Sequence, residues 1–257
     1  MPTLYKAVRL DHTSHWDKKT IWEAGKIIKP DSFALHDDSC GHGIHASEQL
    51  LDAAGYQSGP SDYCLVEPIG EIRKGYDKWR CESVRCLEFI EKDRLDKIAG
   101  FKLWESNHPV NPLLIDRDKT LGLEKLLHQW ASVGSSARAS VGDSVGFSVW
   151  ASVGDSVWAS VGSSVRDSVG ASVGSSVWAS VGDSVGSSVW AYIGGLFPSI
   201  QSWKYAEKHG SDPWRPLLTL WNGGYVPSFY GKLWRLHTGE DAKVVLELTK
   251  DVVEASS

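Results

Sequence analysis

No apolar run in the chain approaches the roughly 20 residues that a membrane helix needs, so no spanning segment is expected. Base does not exceed acid: 27 Lys and Arg against 32 Asp and Glu leave a formal charge of -5, which argues against nucleic acid held by bulk attraction. Four cysteines in 257 residues are too few for a disulfide scaffold, and no Cys-x-x-Cys pair offers a zinc knuckle. The opening MPTLYKAVRLDHTSHW lacks the apolar centre of a signal peptide. No complete catalytic motif occurs. Together these absences point to a soluble protein of the reducing cytoplasm, with no membrane and no nucleic-acid partner.

What the chain does contain is a repeat. From Ser132 to Ser188 a serine stands at every fourth residue, nearly always followed by valine; Ala137 breaks the valine column and Tyr192-Ile193 closes it. An α-helix overshoots a full turn by about 40° in four residues, so over many repeats the valines of one straight helix would wind right round it. Valine, serine and glycine are also poor helix formers. A β-solenoid with four residues to a side lets every valine face inward, with glycine at the third position free to take positive φ at corners. Packed short helices remain the alternative. The pattern resembles a pentapeptide-repeat β-helix shortened by one residue per side, and also the tandem Ser-Val-x-x repeats of uncharacterised bacterial and phage-type proteins.

The expected fold class is therefore α+β, with a central β-solenoid between two non-repetitive parts. Residues 1–131 read as a mixed α/β domain ending in a capping helix, 132–193 as the solenoid, and 194–257 as an aromatic-rich cap with a β-hairpin. Leu4–Val8, Tyr63–Pro68, Ser83–Ile90 and Phe101–Trp104 read as strands; Lys18–Lys26, Ser47–Ala54 and Arg117–Trp130 read as helices. Lys232–His237 and Lys243–Leu248 read as the hairpin.

Only the third and fourth positions of the repeat vary. Trp150, Trp158, Trp178 and Trp190, with Arg166 and several aspartates, would make an outward surface of the kind that anchors a protein partner. Alternatively, the tryptophans fold over neighbouring glycines and shield the backbone. The leading expectation is a non-enzymatic scaffold without cofactor or metal, its partner another protein and self-association left open.

A second reading starts from Cys40-Gly41-His42-Gly43-Ile44-His45-Ala46-Ser47, followed by an alanine-bearing helix and an apolar strand. This segment resembles the loop and strand of ADP-ribosyltransferases, where Gly-x-Gly-[Ile/Val]-Tyr lays an aromatic ring against nicotinamide. The resemblance implies NAD as cofactor, held by Gly41, Gly43 and Ile44, with His45 where the family has tyrosine. It further implies Arg9 on the ribose and Glu88 as the catalytic glutamate, stabilising an oxocarbenium-like sugar. Cys40, His42, His45, Cys64, Cys81 and Cys86 include soft metal ligands, but the cysteines in apolar runs read as buried thiols. His12 and His15 beside Asp11 and Asp17, and the paired Arg235 and His237, are further polar clusters. The first reads as solvated and the second as a strand edge that could take an anion.

Overall fold

A computed structural model describes residues 2–34, 42–56, 59–145, 153–173 and 178–254, the side chains of 173, 178–181 and 254 excepted. The chain divides into two compact units, Met1–Asn107 and His108–Ser257.

The first unit is built on one antiparallel sheet. Its strands are β1 (Leu4–Arg9), β2 (Ile27–Ile28), β3 (Ile44–Ala46), β4 (Ser61–Lys74) and β5 (Trp79–Phe89), in the order β1-β4-β5-β2, with β3 also paired to β5. Beyond β3 the chain touches β1 as well: Tyr5 and Ser47 exchange backbone hydrogen bonds of 2.7 and 2.9 Å. Alternation in the long strands sends Leu4, Val8, Cys64, Val66, Val84 and Cys86 into one core, each fully buried, and Trp22 closes it from the following loop. Three short helices complete the unit, α1 (Leu50–Gly55), α2 (Lys92–Ala99) and α3 (Leu103–Asn107). Helix α2 stops at Gly100, whose φ of 77° is the left-handed C-terminal conformation glycine favours.

Two expected elements change character here. The stretch Lys18–Lys26 is not a helix. The Asp17 carboxylate accepts the backbone N–H groups of Lys19 and Thr20 at 2.9 and 3.0 Å, and Lys18 has φ 56°, so side-chain capping builds a turn instead. Phe101–Trp104 is not a strand: it leads into α3, where the Asp96 carboxylate accepts the Trp104 N–H.

The second unit holds the repeat, and the central β-solenoid is overturned there. Among the described residues the repeat contains no strand. It forms α4 (Leu123–Val133), a 3₁₀ turn over Gly134–Ser136, α5 (Ala137–Ser144), a helical stretch over residues 153–157 continuing through a π turn (Trp158–Gly162) into α6 (Ser163–Val173), and α7 (Trp178–Gly194). The period argument excluded an unbroken helix, and this helix is broken. Within two or three repeats the drift of about 40° each keeps the valines inside one apolar face. The π turn has the opposite effect, because four of its residues fall short of a full turn where four α-helical residues overshoot it. Every described valine of the column from Val133 to Val189 is at most 4% exposed, and Ala137 and Ile193 are fully buried. No described repeat glycine has positive φ. The serines satisfy themselves locally: the hydroxyls of Ser132, Ser136, Ser160, Ser172, Ser187 and Ser188 donate to carbonyls three or four residues earlier.

Helix α4 starts at Leu123 rather than Arg117. It packs on α8 (Arg215–Asn222), with Leu127 and Trp130 fully buried, so it belongs to the same unit as the repeat. The division of the chain falls at Asn107 rather than near 131. The remaining sheet is antiparallel, β6 (Val226–Tyr230), β7 (Leu233–Thr238) and β8 (Lys243–Thr249), followed by α9 (Lys250–Glu254).

Candidate ligand-binding cavity

The first unit carries an open cleft of about 1060 Å³. That is the upper end of the ~300–1,000 Å³ usual for small-molecule sites. Its walls come from β1, the loop that follows it, the segment Gly43–Ser47, helix α1 and the β4–β5 turn.

The loop after β1 is held in place by its own side chains. Asp11 accepts from the Thr13 N–H at 3.0 Å and the Thr13 hydroxyl at 2.6 Å. Trp22 donates its indole N–H to Ser14 at 2.9 Å, and the His15 Nε2 lies 2.9 Å from the Ser61 hydroxyl. His12 stacks on Phe89 with ring centroids 3.9 Å apart. Burial lowers the His15 pKa, so this imidazole is neutral at physiological pH.

Gly43 is needed for close approach. Its φ is +100°, and a Cβ there would lie 2.7 Å from the Arg80 side chain and 3.2 Å from the Cys81 carbonyl oxygen. The tight contact seats β3 on β5 and puts His45 opposite Arg80 in register. Arg80 Nε lies 3.4 Å from His45 Nε2 while its Nη1 donates to the Ala34 carbonyl oxygen at 2.8 Å. With Nε2 facing a donor, the imidazole proton belongs on Nδ1. Burial, reinforced by Lys78, Lys6 and Arg80, pushes the His45 pKa down to about 4.

The cavity wall carries five basic residues, Lys6, Arg9, Lys18, Lys29 and Lys78, against three aspartates, Asp11, Asp17 and Asp31. Arg9 sits 3.6 Å from Asp11, and the Lys78 ammonium lies 4.5 Å from the centre of the Tyr56 ring. Burial lowers the pKa of Lys6. Flat apolar surface comes from Tyr56 and Trp16, the latter 78% exposed, while Trp22 backs the wall from the core. A wall of this kind can meet an anionic group at one end and a planar group at the other.

Arg9, Gly43, Ile44 and His45 all line this one cavity, whereas Glu88 does not. Glu88 is exposed on β5 and ion-paired with Arg94. The described lining contains aspartates but no glutamate. Gly41 lies outside the described residues. Lys6, Trp22, Lys78 and Tyr56 were not singled out from sequence, although a lysine between Leu4 and Val8 in one alternating column is itself a signal.

The repeat residues are placed differently from an outward surface. Trp190 is buried, and Trp158 is half-buried over Gly162, where a Cβ would lie 2.4 Å from its ring. Arg166 is half-buried, with Nε 3.8 Å from the Asp167 carboxylate. Trp150 and the side chain of Trp178 lie outside the described residues. His237, expected at an edge, is fully buried: Nε2 is 2.8 Å from the Ser228 hydroxyl and Nδ1 is 2.9 Å from the Ala242 carbonyl oxygen. That Ser–His pair has no room for a substrate, since Ser228 is fully buried too. Arg235 pairs with Glu247 at 3.3 Å.

Cys64, Cys81 and Cys86 are buried free thiols, and a contact between Cys86 and Cys64 joins with burial to push the Cys64 thiol up. Cys40 lies outside the described residues. Among the described residues no group of three His, Cys, Asp or Glu is arranged to hold a metal ion.

Residues 3–97 match the sequence profile of a domain of unknown function, DUF7666. This DUF7666-like stretch spans β1 to β5 and so includes every strand that lines the cavity. No curated protein and no solved structure matches the chain. No described helix is long and apolar enough to cross a membrane.

Proposed function

We propose that the first unit binds a small anionic ligand carrying a flat ring, and that the protein is a binding protein rather than a transferase. One observation carries this: Arg9 and Lys78 converge with Tyr56 and Trp16 on a single cavity. Cationic groups in a low-dielectric hollow attract phosphate or carboxylate more strongly than they would in water. The second unit then serves as a helical body in which exposed Asp155, Asp167 and Asp183 are what a protein partner would meet. Three buried free thiols support a reducing compartment such as the cytoplasm.

Calorimetry with AMP, NAD and the neutral nucleoside adenosine tests the reading. The phosphate-bearing compounds should bind, more weakly as salt rises, and Arg9→Ala and Lys78→Ala should each weaken them. Absence of binding by every anionic compound would overturn it. An ADP-ribosyltransferase-like activity remains a second reading because Arg9, Gly43, Ile44 and His45 share the cavity. NAD hydrolysis lost in Glu88→Gln would favour that reading over ours.

A further inference from the structure

Lys6 is an amine on a core-facing column. Its neighbours two residues away in β1, Leu4 and Val8, are fully buried, and in register it stands opposite Cys64 on β4. Its Nζ lies 5.6 Å from the centre of the Trp22 ring. Among the described residues it has no hydrogen bond and no ion pair, yet the side chain opens onto the cavity. An unpartnered ammonium in such a place is costly, and the usual relief is loss of the proton.

The charged and titratable groups around it do little to hold that proton. The contact with Cys86, joined by burial, raises the Cys64 pKa, and burial raises that of Cys81 to about 11, so both are neutral thiols. His15 and His45 are neutral, and an ammonium at Lys6 would depress them further. Asp17, in the loop, supplies the carboxylate, but its oxygens are already taken by Lys19 and Thr20. Burial outweighs these attractions, and the Lys6 pKa falls.

We propose that Lys6 captures an aldehyde group on the cavity's ligand, forming a reversible imine. The inference rests on the reading that the cavity takes an anionic ligand, and it narrows that ligand to aldehydes bearing a phosphate or carboxylate. The neutral Nζ lone pair adds to the carbonyl carbon, and the C=O π pair moves to oxygen. A proton passes from nitrogen to that oxygen to give a carbinolamine. Loss of water as the nitrogen pair forms C=N leaves the imine, and water reverses the sequence. No oxidant or reductant is needed. The cationic wall of Arg9 and Lys78 would hold the anionic group while Lys6 meets the carbonyl.

The test uses the full chain with pyridoxal 5′-phosphate and, in parallel, pyridoxine 5′-phosphate, which has an alcohol in place of the aldehyde. Imines are trapped with cyanoborohydride and located by peptide mass spectrometry. Lys6 should be labelled roughly tenfold or more faster at neutral pH than exposed Lys19 and Lys232. Lys6→Met should abolish that label. Labelling of wild-type Lys6 no faster than that of the exposed lysines overturns the proposal, and this measurement does not depend on the variant folding. The two readings separate cleanly. Pyridoxine phosphate bound with Lys6 unlabelled sinks the imine alone. Lys6 labelled by propionaldehyde while pyridoxine phosphate fails to bind sinks the anionic cavity instead.

Discussion

The repeat contains Trp-Ala-Ser-Val-Gly four times, starting at Trp130, Trp150, Trp158 and Trp178, so a tryptophan recurs four residues ahead of a glycine. Two of these pairs are described in full. A Cβ at Gly162 would lie 2.4 Å from the Trp158 ring, and one at Gly134 would lie 2.9 Å from the ring of Trp130, which is fully buried. Gly186 has a glycine four residues earlier, and its nearest neighbour would be 3.7 Å away. Replacing these glycines by alanine should therefore have opposite effects. In the interior of α7, Gly186→Ala removes a helix penalty of about 0.5–1 kcal/mol and meets no clash. At Gly162 the same gain is opposed by overpacking of about 1–3 kcal/mol against a rigid ring, so the net change is a loss of about 1 kcal/mol. At Gly134 the loss should be larger, since the Trp130 ring has nowhere to go. For a unit of this size 1 kcal/mol moves Tm by about 2–4 °C. Far-UV circular dichroism melts follow the helices, most of which lie in the second unit. Gly186→Ala should melt higher than the parent, Gly162→Ala lower and Gly134→Ala lowest. A common downward shift at all three is what inward-folded corners of positive φ would give, and it would refute the helical account.

Two further outcomes concern the first unit. His45 should titrate near pH 4 by NMR, because burial depresses it first and Lys78, Lys6 and Arg80 add to that. Between about pH 6.5 and 4 the unfolded chain takes up a proton that the native His45 refuses, so stability falls as pH drops through that window and levels off below it. His45→Gln should flatten the loss by on the order of 1–2 kcal/mol, the full shift being discounted for partial exposure; a ring titrating near 6.5 would falsify the argument. Asn107, 3% exposed, accepts the Ser61 N–H at 2.9 Å and donates to the Leu103 carbonyl oxygen at 2.8 Å. Asn107→Leu strands both groups and should cost about 2–4 kcal/mol in urea unfolding; a loss under 1 kcal/mol would mean the pair is not shielded from water.

The sheet of the first unit was readable because alternation is a period-two signal that burial enforces. Leu4 and Val8, Cys64 and Val66, and Val84 and Cys86 are apolar at every second position and lie in the core. The turn over Lys18–Lys26 was not readable by that route. What decides it is the Asp17 carboxylate competing for backbone N–H groups, which leaves no periodic trace. Four cavity residues were visible in a short glycine motif and the first strand, and their meeting in space follows from Gly43 seating β3 against β5. The place of Glu88 was not readable by alternation either, which would set it on the core face with Val84 and Cys86. A register shift in the β4–β5 pairing, at Leu65 and Val66, intervenes between Cys86 and Glu88, and Glu88 is exposed beside Arg94. Lys6 does follow alternation, on the face that Leu4 and Val8 bury.

A column of buried residues with a period of four imposes its own constraint on how the repeat folds. Since four α-helical residues overshoot a turn by about 40°, three repeats in one straight helix carry the column through roughly a third of the circumference, about the width of an apolar face. A fourth would bring valine toward solvent. The chain therefore has to stop, tighten or widen its helix at intervals, and it does so: a 3₁₀ turn over Gly134–Ser136 follows α4, and the π turn over Trp158–Gly162 precedes α6. Both irregular turns contain the glycine of a Trp-Ala-Ser-Val-Gly unit, and in each a tryptophan ring lies where that glycine's side chain would be. The tryptophans are then not ornaments on a finished scaffold. Trp130 and Trp158 each mark a place where the helix leaves ideal geometry so that the valine column can stay in the core, and the glycine four residues on leaves room for the ring.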